Sequence, residues 1–384
     1  MNKTFAVLGS GMQGTAAAYD LARFANPARI VMGDLDRDQS QTNADRVNRL
    51  VGRDLCVPAQ ANALDPTSLR EFLEPVDVVL SCVPYWMHPQ VAQVAIEAKT
   101  NMVDMGGDTD VSLKTLALDE RAKAAGISIV PDTGLAPGLV NNLGAYFIEN
   151  LDEVDAIKLY CGGLPQNPKP PFNYKLVFNV EGLVTEYVDQ ARVIRNGEVV
   201  LVDTLDELEL IHIAELGEME AFTTSGGTST APYTFKDKVR NYDYKTIRFP
   251  GHCERMRIFM DFGFWDTEEV DVKGVKVQPR ELFHTLMGPR LRDDSDVDQV
   301  IVRGVGIGTK DGKHTTLQID IHDRFDPATG FSAMERMTGF STATIAKEIA
   351  DGLVAPGCIR YELAMPGTKF VSEIQKRGIS LKFS

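Results

Sequence analysis

The hexapeptide Gly9-Ser10-Gly11-Met12-Gln13-Gly14 lies between an apolar strand candidate, Thr4–Gly9, and an Ala-rich helix candidate, Gly11–Ala25. No other feature restricts the fold as strongly. In a G-x-G-x-x-G turn, the first glycine (Gly9) permits the tight bend and the second (Gly11) lets the backbone approach a pyrophosphate. The third (Gly14) lets the helix pack closely on the strand, and the anion rests on the helix N-terminus. Ser10, Met12 and Gln13 complete the turn. The next strand candidate, Arg29–Asp34, ends 20 residues past Gly14, where this pattern places a ribose-binding carboxylate; the plain alternative is a solvated strand end. A carboxylate there accepts from the 2′-hydroxyl of NAD and repels the 2′-phosphate of NADP, so NAD is the expected cofactor. Leu35 follows Asp34 on the adenine side. Arg37 either stacks on adenine or pairs with a phosphate. After the third strand, Leu64 and Asp65 are placed to flank adenine, and Asp65 serves equally well as N-cap of a helix opening at Pro66.

The rest of the first ~130 residues keeps a strand–helix rhythm. Strand candidates are Asp54–Ala59, Val76–Cys82, Asn101–Asp104 and Ile127–Pro131. Helix candidates are Gln39–Val51, Pro66–Leu73, Pro89–Ala98 and Ser112–Ala125. Together these predict an α/β chain with an N-terminal Rossmann domain, a doubly wound parallel sheet, over 1–131. Beyond it the texture changes to a helix candidate, Gly138–Asn150, and longer strands: Ala156–Cys161, Lys175–Asn179, Thr246–Phe249, Val300–Gly308 and Thr315–His322. These predict a second α+β domain, mostly antiparallel, over 132–330. A third segment, 331–384, with a helix at Gly339–Leu353, is expected to return to the first domain.

Ligands of a doubly wound sheet lie at the carboxyl ends of its strands. Cys82, Val83 and Pro84 end the fourth strand and Met105 and Gly106 follow the fifth, so both segments are candidates for the nicotinamide end of the crevice. Cys82 carries no local mark of a low-pKa thiolate and is expected as a wall. Asp104 and Asp132 end strands on the same side, where turn and cap residues are common. The Ser225-Gly226-Gly227-Thr228 loop either offers backbone amides to a ligand or is a mobile linker.

Charge narrows the partners. Among 384 residues, 40 basic and 54 acidic side chains leave a formal net charge of −14, which opposes nucleic acid and anionic lipid and favours small molecules. The longest apolar candidate, Val76–Met87, is interrupted by Asp77, Ser81 and Pro84 and falls short of the roughly 20 residues of a span, so a soluble protein is expected. Phe5–Leu8 is too short for a signal peptide. Five scattered cysteines without a C-x-x-C pair suggest reduced thiols and a cytoplasmic protein. The six histidines form no metal-binding motif, so no metal is expected.

Further motifs carry a resemblance. Gly9–Gly14, Val83-Pro84-Tyr85, Asp132 to Gly138 and Gly162-Gly163-Leu164-Pro165 with Tyr174-Lys175 run in order along the chain. Lys245 to His252 and Lys376-Arg377-Gly378-Ile379 follow them. On these residues the chain resembles the saccharopine dehydrogenase-like superfamily, and most of all its lysine 6-dehydrogenase branch. Ala136 stands where saccharopine reductases and carboxynorspermidine dehydrogenases place an aspartate, which favours a smaller amine. The resemblance implies an NAD-dependent amine dehydrogenase, commonly a homodimer, that converts L-lysine to 2-aminoadipate 6-semialdehyde. Saccharopine or carboxynorspermidine reduction is the alternative activity, and an NAD-binding regulatory protein is the alternative without turnover. In that setting Arg248 is the candidate for the α-carboxylate, or else a solvated strand arginine. Lys175, Tyr174 and His252 are candidates for proton handling, and Ser225 and Gly226 for substrate contact. Asp104 and Asp132 are either ligands of the amine or turn and cap residues, and the second domain is expected to carry catalysis and dimerisation.

Overall fold

A computed structural model of the chain describes residues 2–384. The first six strands are β1 (Thr4–Leu8), β2 (Arg29–Asp34), β3 (Cys56–Gln60), β4 (Val78–Ser81), β5 (Asn101–Asp104) and β6 (Ser128–Val130). They form a parallel sheet in the order β6-β5-β4-β1-β2-β3. The order reverses between β1 and β4, which opens the ligand crevice at their carboxyl ends. Helices cover both faces, as a buried parallel sheet requires. Phe5, Val7, Ile30 and Met32 meet one helical layer, and Ala6, Leu8 and Val79 meet the other. The single helix expected over Ser112–Ala125 is two, Thr109–Leu116 and Asp119–Ala125.

The second sheet begins with β7 (Glu153–Pro165), β8 (Gln190–Arg195), β9 (Glu198–Asp203), β10 (Glu209–Ile213), β11 (Gly217–Thr223) and β12 (Val239–Arg248). A small hairpin, β13 (Val270–Val272) with β14 (Val275–Val277), stands apart. The main sheet then continues with β15 (Asp298–Lys310) and β16 (Lys313–Arg324). Two strands lie near the end of the chain, β17 (Gly357–Cys358) and β18 (Leu381–Phe383). The path β10-β11-β12-β7-β15-β16-β18 is antiparallel except where β12 runs parallel to β7. Lys175–Asn179, expected as a strand, is irregular and leads into the helix Val180–Tyr187.

The last segment serves both sheets, because β17 extends the first beside β6 whereas β18 pairs with β16. Between them in space runs the helix Ala333–Ala350, opened by a reciprocal cap in which Ser332 and Glu335 satisfy each other's backbone N–H. It packs on the helix Met12–Phe24 through small residues. A Cβ on Gly339 would lie 2.8 Å from the Ala17 nitrogen. No helix among the described residues is long and apolar enough to cross a membrane.

Candidate functional site

The turn after β1 is rigid where it touches protein and open where it faces the crevice. A Cβ on Gly14 would meet the Gly9 oxygen at 2.1 Å and Val7 Cγ1 at 3.0 Å, and one on Gly9, at φ +94°, would meet the Cys82 oxygen at 2.7 Å. A Cβ on Gly11 would meet nothing within 4 Å. Gly11 is the N-cap of the helix Met12–Phe24, and no side chain caps it, so the first-turn N–H groups remain available to an anion. By contrast Asp36 and Asp65 cap the next two helices, and Asp65 accepts from the Thr67 N–H at 3.0 Å. Asp34 Oδ2 accepts from the Ser10 N–H at 2.8 Å and from its hydroxyl at 3.1 Å, which ties the end of β2 to the turn. Met12, Leu35 and Leu64 are each more than half exposed and form an apolar rim suited to a flat aromatic ring. These residues fit a dinucleotide.

At the nicotinamide end, the structure corrects the reading of Asp104 and Asp132 as amine ligands. Both are buried and bound to protein. Asp104 Oδ1 accepts from the N–H groups of Gly106 and Asp132, both at 2.9 Å. Asp132 accepts from the hydroxyls of Ser112 and Ser229. Burial raises Asp104 to about 6. Burial, and then the neighbouring Asp104, raises Asp132 to about 7, while the two serine hydroxyls oppose the rise. Sequence reasoning missed their neighbour His88. Its Nδ1 is 3.0 Å from the Ser81 hydroxyl and its Nε2 is 4.0 Å from Asp104. Burial lowers its pKa to about 4, so the ring stays neutral. Cys82 is likewise pushed well up, first by burial and then by Asp104, which makes it a wall rather than a nucleophile. With Val83, Pro84, Met105 and Gly106, it lines the strand ends.

A second cluster gathers on the other sheet. Arg248, at the end of β12, is 3% exposed. It donates from Nε to the Tyr187 hydroxyl at 3.2 Å, from Nη1 to the Ile247 oxygen at 3.0 Å and from Nη2 to Glu186 at 3.2 Å, and lies 5.1 Å from the centre of the Tyr174 ring. A solvated strand arginine is therefore ruled out. Glu186 was not visible in the sequence; it leaves 31% of its side chain open. The Tyr174 hydroxyl is buried without a hydrogen-bond partner. His252 is enclosed, 3.0 Å from the Tyr187 hydroxyl, and burial followed by the Arg248 charge holds it well below the usual imidazole range. It positions Tyr187 and is not at a surface that substrate can reach. Lys175 also needs correction as a proton carrier, because its ammonium is clasped by the backbone oxygens of Asp293 and Asp296 and fastens that loop.

The segment joining the two clusters is pinned, which excludes the mobile-linker reading. Ser225 donates its N–H to the Glu186 oxygen at 2.9 Å and its hydroxyl to the Thr185 oxygen at 2.7 Å. Asn141 donates to the Gly227 oxygen at 2.7 Å, Ser229 reaches Asp132, and Thr230 reaches Glu362. Gly226, at φ +80°, faces open space.

Comparison with known proteins follows the same division. Residues 5–130 match the saccharopine dehydrogenase NADP binding domain, and residues 134–379 match the saccharopine dehydrogenase C-terminal domain. The chain is 25% identical over 257 residues to a saccharopine dehydrogenase [NADP(+), L-glutamate-forming] of Pyricularia oryzae, covering 64% of this chain and 56% of that protein. It is 30% identical over 290 residues to the mitochondrial alpha-aminoadipic semialdehyde synthase of Mus musculus, covering 69% and 29%. It thus spans little more than half of one relative and under a third of the other. The apo saccharopine dehydrogenase (L-Glu forming) of Saccharomyces cerevisiae shares the fold, with a TM-score of 0.79 at 19% identity over 100% of this chain and 99% of that one. With both halves of the fold matched, the chain belongs to the saccharopine dehydrogenase family.

Proposed function

We propose that the protein is an oxidoreductase that removes the side-chain amine of L-lysine with NAD, giving 2-aminoadipate 6-semialdehyde. One observation carries this reading: a buried guanidinium and a half-open carboxylate, Arg248 and Glu186, stand 3.2 Å apart beside the unpartnered Tyr174 hydroxyl. An α-amino acid head offers the complementary pair, its carboxylate for Arg248 and its ammonium for Glu186. The Ser225–Ser229 segment spans from Glu186 to Asp132, so a side chain held at this end points its own amine toward the strand ends. There Cys82, Val83 and Met105 form an apolar wall. Desolvation against that wall favours the neutral amine, whose lone pair is needed when hydride leaves the adjoining carbon. A pyridine dinucleotide, bound at Gly9–Gly14, supplies the hydride acceptor.

The test compares Arg248→Ala and Glu186→Gln with the unaltered chain, following reduced-cofactor absorbance with L-lysine and with 1,5-diaminopentane, which lacks the carboxylate. For Arg248→Ala, kcat/KM should fall at least about 100-fold further for lysine than for the diamine, the worth of one buried charge-assisted contact. Equal losses on both substrates remove the assignment. Far-ultraviolet circular dichroism and melting of each variant establish that it is folded, because a general loss of folding would also lower both activities alike.

A second reading is favoured by the relatives' names: oxidation or formation of saccharopine with NADP. Saccharopine bears three carboxylates, and Ala136 offers no polar contact where the loop meets the crevice. Asp34 bears on the cofactor. Asp34→Asn keeps an acceptor for Ser10 while removing the charge that repels a 2′-phosphate. The ratio of kcat/KM for NAD over NADP should fall at least about tenfold, a change of about 1.4 kcal/mol; an unchanged ratio places the ribose elsewhere.

A further inference from the structure

We propose that Glu181, Glu281 and His284 form a divalent transition-metal site that joins the helix Val180–Tyr187 to the helix Pro279–Leu291. The three side chains each bring one ligand atom to within 4.8 Å of the others. His284 Nδ1 stands 3.5 Å from Glu181 Oε2 and 4.0 Å from Glu281 Oε1. Ligand atoms that share one zinc-like ion at about 2.0–2.2 Å lie roughly 3–4 Å apart, so the spacing fits an ion with small side-chain adjustment.

Chemistry and placement both favour a metal over a chance cluster. Glu281 and His284 are three residues apart on one helix, and that spacing projects a carboxylate and an imidazole from the same face; with a carboxylate from a neighbouring helix, it is an arrangement that holds metal ions between helices. The His284 side chain is nine-tenths buried. Its Nε2 has no hydrogen-bond partner, and its Nδ1 points between the two carboxylates. Glu181 and Glu281 are exposed, so an ion can enter and keep water on its remaining positions, as three-ligand sites do. One imidazole with two carboxylates suits Zn²⁺, Co²⁺ or Ni²⁺, whereas Mg²⁺ and Ca²⁺ prefer oxygen alone. The net charge of −14 attracts any cation.

The site has a consequence for the crevice. Glu181 begins the helix that ends with Glu186 and Tyr187, the partners of Arg248. An ion here fixes that helix from its exposed end and so acts on the Arg248 cluster from outside. The proposal rests on the three ligands alone and stands whatever the substrate.

Isothermal titration of the full, untagged chain with Zn²⁺ tests it, in the presence of millimolar Mg²⁺. The expected result is one ion per chain. His284→Asn and Glu281→Gln should each weaken binding at least about tenfold, since even loss of a hydrogen-bond partner to a ligand costs roughly 10–100-fold. Unaltered far-ultraviolet circular dichroism and melting of the metal-free variants show that the loss is local. No binding to the unaltered chain would overturn the proposal. Binding that survives both substitutions would place the ion elsewhere and also overturn it.

Discussion

Gly11→Val should leave the fold intact and abolish dinucleotide binding. Gly11 has φ −72°, a value any residue adopts, and its Cβ would meet nothing within 4 Å. The unfolding midpoint should therefore move little, within the roughly 0.5 kcal/mol usual for harmless surface changes. A branched side chain at this point projects into the space before an uncapped helix N-terminus, where a pyrophosphate must approach the backbone. Binding of NADH, followed by fluorescence titration, should weaken at least about 100-fold, or roughly 2.7 kcal/mol. Gly9→Ala and Gly14→Ala make the contrast, because each new Cβ strikes backbone, at 2.7 Å and 2.1 Å. Both should lose about 1–3 kcal/mol of stability along with binding. Undiminished NADH binding by a folded Gly11→Val protein would remove the dinucleotide from this turn.

The same turn shows why so much of the first sheet was legible. Most of its strands are short apolar runs ended by or just before glycine, aspartate or proline, and helices begin at local signals such as Asp65-Pro66, so period and punctuation agree at most steps. Strands β2 and β5 have the bounds expected from the sequence, and the others differ by a residue or two. What failed depended on long-range contact. Lys175–Asn179 has the apolar content of a strand, but the Leu176 N–H bonds to the Leu291 oxygen and the Lys175 ammonium to Asp293 and Asp296, more than a hundred residues away. Glu186 gave no local signal, because its meaning comes from Arg248 on another element. The proposed metal ligands show the same limit: Glu181 is a hundred residues from Glu281, and no spacing rule joins them. Asp104 and Asp132 were placed correctly at strand ends, but whether they face ligand or protein was decided by Ser112 and Ser229.

Arg377→Ala should cost about 3–5 kcal/mol of stability, the range for removing one partner of a buried ion pair. Arg377 lies in the Lys376-Arg377-Gly378-Ile379 motif, and its guanidinium meets both oxygens of Asp20, at 2.8 and 2.9 Å, with both side chains at 1% exposure or less. Asp20 belongs to the helix that receives the dinucleotide turn, so the pair fastens the end of the chain to that helix. Burial raises Asp20 to about 7, and Arg377 pulls against the rise. A carboxyl raised in the fold contributes stability below its unfolded pKa of ~3.9 and loses it as pH climbs toward the folded value. Without Arg377 the folded pKa rises further, so the cost of Arg377→Ala should be greater at pH 8 than at pH 5.5, where Asp20 takes up a proton. Denaturant unfolding at the two pH values measures this. Replacing both partners, as Asp20→Leu with Arg377→Met, should recover much of the loss, because no buried charge is then left alone. A cost for Arg377→Ala that is the same at both pH values, and undiminished in the double variant, would mean that Arg377 acts through its packing on Phe24, whose ring centre lies 4.7 Å away, and not through its charge.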